Sequence, residues 1–205
     1  LTSEAHVIGA VNTIRVEEDG LLVGHNTDCE GAVRAVEADG TEMRGKTVAI
    51  LGAGGAGRGV AAGCAFARAA KIIILNRTRE KAENVVQELS AHEDFAAIEW
   101  ECATLEEGCD WSVVDVVMQM TSLGMHGEGE VAWNPAELPS HAHVLEAVYH
   151  PLETKFLAQA RQLGLRTSDG LSMLLEQGAA AFEFWFHVTP DRETMRTVLL
   201  NLAEQ

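Results

Sequence analysis

The sequence predicts an α/β fold with a doubly wound parallel sheet. Three observations lead to this fold class: short runs with the composition of buried strands, helical patterns between the runs, and a glycine-rich turn directly after one of them. Alternating strands and helices form a parallel sheet, because a crossover helix returns the chain to the same end of the sheet. At 205 residues the chain is long enough for one such domain and pieces of a second.

The amino-terminal part predicts a β-hairpin over residues 12–26, because two apolar runs flank the turn-forming Glu18-Asp19-Gly20. A helix is expected from Glu30 to Glu37, ending near Asp39-Gly40. From residue 46 onward, strands and helices alternate. The predicted elements of this part are the strand Thr47–Leu51, a helix to about Ala70, the strand Ile72–Leu75, the helix Arg79–Leu89, a short strand around Ile98, and the strands Val113–Met118 and Val144–Val148.

Two helices are predicted near the carboxyl terminus, Leu171–Phe186 and Pro190–Ala203. Thr189 is expected to cap the second helix, with Pro190 as its first residue. Apolar residues recur at helical spacing in this helix, at Met195, Val198, Leu199 and Leu202. The stripe predicts a partner surface, because such a stripe normally packs against another element or another chain, and a homodimer is one such arrangement.

The charge and the cysteines restrict the possible partners. Asp and Glu outnumber Lys and Arg by 31 to 15, and the resulting formal charge of −16 repels nucleic acid and anionic membranes. No apolar stretch approaches the roughly 18 residues of a membrane span. The cysteines lack a CxxC pair and histidines at metal spacing, so we expect no metal site and reduced thiols in a cytoplasmic protein. They are Cys29, Cys64, Cys102 and Cys109.

A glycine-rich loop follows the strand Thr47–Leu51 and opens a helix. Gly52-Ala53-Gly54-Gly55-Ala56-Gly57 satisfies the pattern G-x-G-x-x-G. The first glycine makes the tight turn, the second lets backbone amides approach a pyrophosphate, and the third lets the helix pack close to the strand. The loop is therefore interpreted as a Rossmann-like dinucleotide site, with a plain strand-to-helix turn as the alternative.

The end of the second strand indicates which dinucleotide binds. An NAD site usually has Asp or Glu there, about 20 residues past the glycines. This sequence has Asn76 instead, followed by Arg77, Thr78, Arg79 and Lys81. Basic residues oppose the dipole at a helix amino terminus, so they predict a bound anion, and the 2′-phosphate of NADP(H) is the natural one. A solvated basic run without a ligand is the alternative.

Five further segments, read together with the glycine loop and Asn76-Arg77-Thr78, resemble the shikimate dehydrogenase family. They occur in the family order, and the resemblance runs from residue 8 to about residue 186. The segments are Gly9–Thr13, Asn26–Gly31, Thr121–Met125, Val148–Thr154 and Asp169–Gln177.

The resemblance implies an oxidoreductase that reversibly reduces 3-dehydroshikimate to shikimate with NADPH and without a metal, in aromatic amino-acid and chorismate biosynthesis. It implies that Asp28 is the catalytic carboxylate, working with a lysine to move the proton of the substrate hydroxyl. Asn12 and Gln177 would bind the ring hydroxyls of the substrate, and Tyr149 would line the junction with the cofactor. Thr121, Ser122 and Met173 would border the nicotinamide, and Gly170 would also contact the cofactor.

These residues also have structural interpretations. Asp28 could cap the helix that follows it, Asn12 could be a turn residue, and Gln177 an exposed helix residue. Met173 is of a type that more often packs in a core.

The family's catalytic lysine lies in an amino-terminal substrate domain, which is expected to precede Leu1 and could be fused to a dehydroquinate dehydratase. We therefore expect the chain to be a piece of a longer polypeptide and to be inactive by itself. The expected division is the end of the substrate domain in residues 1–28, the NADP-binding domain in residues 29–170, and helices that return to the substrate domain in residues 171–205. The lysines present lack the family context; they are Lys46, Lys71, Lys81 and Lys155.

Two positions depart from the family pattern near the predicted cofactor pocket. Gln119 stands where Asn is usual, and His150 stands where Asn is usual between Tyr149 and Pro151. Two other functions remain open: a quinate dehydrogenase, which NAD use would favour, and a non-catalytic sensor that kept the dinucleotide fold. Retention of Asp28, Asn12 and Gln177 together argues against the sensor, because a sensor needs no carboxylate to move a proton.

Overall fold

The structure, a computed structural model, describes residues 1–130, 133 and 135–203. The last two residues of the predicted segment 171–205 lie outside this description. In chain order the elements are α1 Ser3–Ile8, β1 Thr13–Val16, β2 Leu22–His25, α2 Asp28–Ala38, β3 Thr47–Leu51, α3 Gly55–Phe66, β4 Lys71–Asn76, α4 Arg79–Ser90, β5 Glu99–Thr104, β6 Val116–Gln119, β7 His143–Glu146, α5 Lys155–Gln162, β8 Arg166–Ser168, α6 Gly170–Phe186 and α7 Arg192–Ala203.

Six strands form one sheet in the order β5-β4-β3-β6-β7-β8. All five neighbouring pairs are parallel, which confirms the predicted doubly wound sheet. The order in which the chain adds strands reverses at β3. The chain first adds β4 on one side of β3, and later adds β6 on the other side. In sheets of this kind, ligands bind in the crevice outside the carboxyl ends of the strands at the reversal point.

Helices cover both faces of the sheet. In β4, Ile72 and Ile74 pack with α2, α3 and α4 on one face, whereas Ile73 and Leu75 pack in the cluster that includes α5 on the other. These four side chains are buried. A strand buried on both faces reads as a continuous apolar run, which is why the sequence predicts β3 and β4 to within one residue.

The two ends of the chain contact each other. β1 and β2 pair antiparallel, which confirms the predicted hairpin. The indole N–H of Trp185, near the end of α6, donates to the carbonyl of Ile14 at 3.0 Å, and Arg15 donates to the carbonyl of Phe184 at 2.6 Å. α6 also packs along α2. The hairpin and α6 are therefore in contact with each other, and α2 links them to the sheet.

Several elements differ from the prediction. The patterns do not predict α1, α5 or β8. α3 ends at Phe66 and not near Ala70, because Arg68 takes a left-handed conformation with φ of 63°. β6 begins at Val116 and not at Val113, because the residues before it form a short 3-10 turn that the carboxylate of Asp110 caps.

The expected cap of the last helix is wrong. α7 begins at Arg192, and the carboxylate of Asp191 accepts hydrogen bonds from the amides of Glu193 and Thr194. Aspartate therefore replaces Thr189 as the capping residue, and Pro190 lies before the helix. In the described part of the chain, no helix is long and apolar enough to cross a membrane.

Candidate functional site

The glycine loop connects the carboxyl end of β3 to the amino end of α3. Gly52 has φ of 114°, a conformation that residues with a Cβ rarely adopt, and a Cβ on Gly57 would overlap the carbonyl oxygen of Gly52. A Cβ on Gly54 or Gly55 would meet open space. The loop therefore closes tightly on itself while leaving room outside it. Gly54 precedes α3 without a capping side chain, so backbone amides at a helix amino terminus are available for an anion.

Asn76 ties the glycine loop to the loop after β4. Its Oδ1 accepts a hydrogen bond from the amide of Ala53 at 3.2 Å, and its Nδ2 donates to the carbonyl of Thr78 at 2.9 Å. An aspartate at this position could accept from Ala53 but could not donate to Thr78. Asn76 therefore holds the two loops together, a contribution that the sequence did not indicate.

The basic residues beyond β4 differ in their partners. Arg79 forms ion pairs with Glu107 and Glu83. Arg77 and Lys81 are exposed, and neither forms an ion pair within the described part of the chain. Two of the predicted anion-binding cations thus remain available beside the amino terminus of α4, as a phosphate site requires.

A cavity of about 710 Å³ lies at the carboxyl ends of β6 and β7. It brings together Ala56 of the glycine loop, Thr121 and Ser122 after β6, and Tyr149 after β7. Its other walls are mainly apolar. They comprise Met120, Met125, His126, Ala147, Val148, His150, Leu171, Leu174, Leu199 and Leu202. Part of the apolar stripe of α7 therefore faces this cavity.

Gly170 and Met173 lie at the start of α6 but are not among the cavity-lining residues. A Cβ on Gly170 would lie 2.5 Å from the carbonyl oxygen of Val148, so α6 begins in direct contact with the segment after β7. Met173 is buried and belongs to a core cluster. Their neighbours Leu171 and Leu174 line the cavity instead, and the cofactor assignment of Gly170 and Met173 stays a prediction.

A buried polar pair that the sequence did not indicate lies next to the cavity. Gln119 and Glu146 are the last residues of β6 and β7, they are opposite each other in the sheet, and both are fully buried. Burial raises the pKa of Glu146 to about 7, against the opposing effect of its hydrogen bonds. A polar residue directly after an apolar strand run, in two neighbouring strands, is the signal that could have identified the pair. The departure at Gln119 is thus part of a packed network.

Asp28 and Asn12 lie together at the amino terminus of α2. Asn26, not Asp28, satisfies the first amides of this helix, because its Oδ1 accepts from the amides of Asp28 at 3.1 Å and Cys29 at 3.4 Å. The side chain of Asp28 hydrogen-bonds Asn12, and burial raises the pKa of Asp28 while this hydrogen bond opposes the rise. The capping interpretation of Asp28 is therefore wrong. Its carboxylate is partly buried and close to an amide that can orient it.

Two close helix contacts position this pair relative to the rest of the site. A Cβ on Gly31, one turn after Asp28, would lie 2.7 Å from the Cβ of Gln177, so α2 and α6 touch there. A Cβ on Gly59, just past the glycine loop, would lie 3.4 Å from Oδ1 of Asn26. Gln177 and the start of α3 therefore both lie beside the turn that carries Asp28.

The lysines of the chain are elsewhere. Lys46 pairs with Asp115, and Lys71 pairs with Glu99 at 2.7 Å; both lysines lie at the amino ends of strands, opposite the glycine loop. Lys155 pairs with Glu130. Among the described residues, no group of three or more His, Cys, Asp or Glu side chains could hold a metal ion.

Known proteins match this arrangement over nearly the whole chain. The family model of shikimate/quinate 5-dehydrogenase matches residues 34–108, and that of the shikimate 5′-dehydrogenase C-terminal domain matches residues 170–200. The shikimate dehydrogenase (NADP+) of Alkaliphilus oremlandii is 42% identical over 92% of this chain and 66% of its own length. That of Symbiobacterium thermophilum is 39% identical over 98% of this chain and 69% of its own length. The chain thus spans about two thirds of these relatives.

Solved structures of related enzymes share the fold. A shikimate dehydrogenase in complex with NADP+ matches with a TM-score of 0.87 and 35% identity, over 99% of this chain and 70% of that one. A 5-ketofructose reductase of Gluconobacter sp. strain CHM43 matches with a TM-score of 0.89 and 33% identity, over 98% and 72%. A quinate dehydrogenase of Corynebacterium glutamicum in complex with NAD matches with a TM-score of 0.86 and 29% identity, over 97% and 71%.

Proposed function

Because the chain belongs to the shikimate dehydrogenase family, we propose that it is the cofactor-binding part of an NADP-dependent oxidoreductase that interconverts 3-dehydroshikimate and shikimate. The observation that carries this proposal is the position of Asp28. Asp28 is partly buried and hydrogen-bonds Asn12, and Asn26, two residues before it, lies beside Gly59 in the helix that the glycine loop opens. A proton-handling group and a dinucleotide cradle are the two parts that a dehydrogenase of a hydroxyl group needs.

The cofactor fit rests on the glycine loop and on the unpaired cations after β4. Backbone amides of residues 54–57 would hold the pyrophosphate, because a Cβ is excluded from Gly52 and Gly57, which closes the loop tightly, and open space lies outside Gly54 and Gly55. Arg77 and Lys81 would hold the 2′-phosphate, together with Thr78, while Asn76 keeps their loop against Ala53. The chemistry that bound NADP supplies is the acceptance of a hydride from the carbinol carbon.

In the direction of shikimate oxidation, the hydroxyl proton must leave while the hydride departs from the same carbon. Asp28 would accept this proton together with a lysine, and in the reverse direction the pair would return it to the forming alkoxide. The burial that raises the pKa of Asp28 makes its carboxylate a stronger base than an exposed aspartate. Asn12 would orient both Asp28 and a substrate hydroxyl, and Gln177 would bind a second hydroxyl.

The lysine partner is proposed to come from a substrate domain that precedes residue 1. Two observations support this: the lysines at 46, 71 and 155 are paired with carboxylates elsewhere, and the relatives are longer than this chain. Residues 1–28 would end that domain, residues 29–170 would form the NADP domain, and the segment from 171 would return to the substrate domain. Its helix α6 contacts the hairpin, which supports this grouping.

The experiment that tests the proposal is a titration with NADPH and with NADH, followed by assays of NADP and NAD reduction with shikimate and with quinate. Both are run on this chain and on the same chain extended by the residues that precede it in its natural polypeptide. We expect NADPH-selective binding in both, and turnover only in the extended protein.

The other outcomes distinguish the alternatives. Turnover of quinate with NAD in preference to shikimate with NADP would indicate a quinate dehydrogenase. Tight NADPH binding without turnover in either protein would indicate a sensor. Failure of both nucleotides to bind would contradict the interpretation of the glycine loop.

A further inference from the structure

Glu146 is a buried carboxylic acid at the carboxyl end of β7, next to the cavity, and neither the resemblance nor the proposed mechanism uses it. Its side chain is fully buried, and it lies opposite Gln119 of β6. A carboxyl group in such a position is unusual, because burying an ionisable group costs free energy unless several hydrogen bonds compensate it.

Three donors from three parts of the chain converge on this carboxyl group. Its Oε1 accepts a hydrogen bond from Nε2 of Gln119 at 3.1 Å and from the amide of Val148 at 2.9 Å. Its Oε2 accepts from the hydroxyl of Thr154 at 2.8 Å. Thr154 in turn caps α5 by accepting from the amide of Leu157. Glu146 thus links the end of β6, the segment after β7 and the start of α5.

Gln119 extends the network to the loop after β6. Its Nε2 also donates to the carbonyl of Leu123 at 3.0 Å, and its Oε1 accepts from the amide of Thr121. Each polar atom of the Gln119 side chain therefore holds backbone of the segment 121–123. Since Gln119 is itself held by Glu146, one carboxyl group orders both segments.

Two of the segments that line the cavity meet at Glu146. Thr121 and Ser122 follow Gln119, and Val148 and Tyr149 follow Glu146. An apolar residue at 146 would avoid the cost of burying a carboxyl group but would leave the amide of Val148 and Nε2 of Gln119 short of an acceptor. The network therefore fixes the shape of the cavity wall, although burial of the Glu146 carboxyl group costs free energy.

We propose that Glu146 is a positioning residue of the dehydrogenase: through Gln119 and the amide of Val148 it holds the two cavity-lining segments in the arrangement that receives the nicotinamide end of the cofactor. This inference rests on the proposed function, because it assigns the cavity to the reacting half of NADP. Glu146 lies beneath the segments and acts through them, without touching substrate or cofactor itself.

The test compares Glu146→Leu, which keeps the approximate volume and removes both acceptors, with Glu146→Gln, which keeps one acceptor oxygen. The measurements are kcat, KM for NADP, and the hydrogen-exchange rates of the amides of Thr121 and Val148, in the natural polypeptide that carries this chain. Glu153→Gln is the matched control, since Glu153 is an exposed residue nearby that pairs with Arg161.

For Glu146→Leu we expect kcat to fall about 10- to 100-fold, because misplacement of reacting groups by about 1 Å can cost that much. KM for NADP should change much less, because the glycine loop and Arg77 remain. Exchange of both amides should accelerate, Glu146→Gln should recover most of kcat, and the control should match the wild type. Unchanged kcat, or a fall in kcat that only tracks loss of folded protein, would overturn the inference.

Amide exchange separates this inference from the proposed function. If the wild type fails to oxidise shikimate with NADP, the proposed function fails, and the exchange rates still decide whether Glu146 orders the cavity wall. Unchanged exchange at Thr121 and Val148 in Glu146→Leu would contradict the positioning role whatever the activity. If Glu146→Leu does not fold, the same comparison is made with Glu146→Met, whose flexible side chain also lacks both acceptor oxygens and should accelerate at least one of the two amides.

Discussion

Charged side chains have different partners at the two ends of the parallel strands, which are called here the amino edge and the carboxyl edge of the sheet. At the amino edge, charged and polar side chains satisfy one another: Lys71 lies between Glu99 and Glu101, and Lys46 pairs with Asp115. At the carboxyl edge, Arg77 has no ion pair within the described residues, and Asp28 is partly buried with a raised pKa.

This difference supports the proposal that the carboxyl edge carries the functional site. Charged side chains that bind a ligand must remain without an ion-pair partner, or keep a shifted pKa, until the ligand binds. Charged side chains that only stabilise the fold are paired within it. The carboxyl edge should therefore respond to substitution with changes in binding and turnover, and the amino edge with changes in stability alone. The predictions below test this separation, from the largest expected effect to the smallest.

The largest effect is expected for Asp28→Asn in the complete natural polypeptide. The amide keeps the shape and can still contact Asn12 but cannot accept a proton, so kcat should fall about 10²- to 10⁴-fold, as is typical for loss of a general acid or base. Asp19→Asn, in the exposed turn of the hairpin, is the control and should leave kcat unchanged. Steady-state kinetics with shikimate and NADP measures kcat of both variants. Wild-type turnover in Asp28→Asn would contradict the catalytic assignment.

The next effect concerns the choice of nucleotide. Arg77→Ala should weaken NADPH binding about 10- to 100-fold while leaving NADH binding unchanged, because a charged hydrogen bond to phosphate contributes roughly 1.5–3 kcal/mol. Arg79→Ala should have little effect on either nucleotide, since Arg79 is already engaged by Glu107. Titration of each variant with both nucleotides measures this. Equal losses of affinity for NADPH and NADH in Arg77→Ala would show that Arg77 does not bind the 2′-phosphate.

At the amino edge, His143 should make stability depend on pH. Its ring nitrogens contact the hydroxyls of Thr41 at 2.9 Å and Ser168 at 2.8 Å, and burial lowers its pKa to about 4. The unfolded chain, with an ordinary histidine pKa of about 6.5, takes up the proton first. The free energy of unfolding should therefore be highest above about pH 6.5 and fall as the pH decreases towards about 4.

Urea denaturation of the wild type and of His143→Gln between pH 7.5 and pH 4.5 measures this contribution as the difference between the two curves. The variant should be less stable at pH 7.5, and the gap should narrow as the pH falls. A constant gap between wild type and His143→Gln would contradict the assignment.

The smallest effect is expected for Lys71→Met. The ion pairs of Lys71 with Glu99 and Glu101 lie near the surface, so their loss should lower the free energy of unfolding by about 1 kcal/mol or less. NADPH binding and turnover should match the wild type, which the same titration and kinetic assay can check. A clear loss of NADPH binding would break the proposed separation of the two edges.

An element could be predicted from the sequence where its own residues form a clear local pattern. β3, β4 and the glycine loop are specified locally, since strands buried on both faces read as apolar runs and the loop needs glycine at Gly52 and Gly57 for its own closure. α1, α5 and β8 are short, and their apolar residues are too few for a periodic pattern. The cap of α7 could not be assigned from local pattern alone, because both Thr189 and Asp191 are good capping residues.

For the site, the sequence by itself predicted the residue types: a glycine cradle, basic residues in place of the acidic residue after β4, and Asp28 as the proposed proton-handling carboxylate, with Asn12 close to it. These follow from short motifs, whose geometry depends on neighbouring residues in the chain. Only the tertiary structure decided that Arg79 is paired while Arg77 is not, that Asn26 caps α2, and that Glu146 orders the cavity wall. Each of these depends on which side chains a distant part of the fold brings within hydrogen-bond distance, and no local pattern encodes that distance.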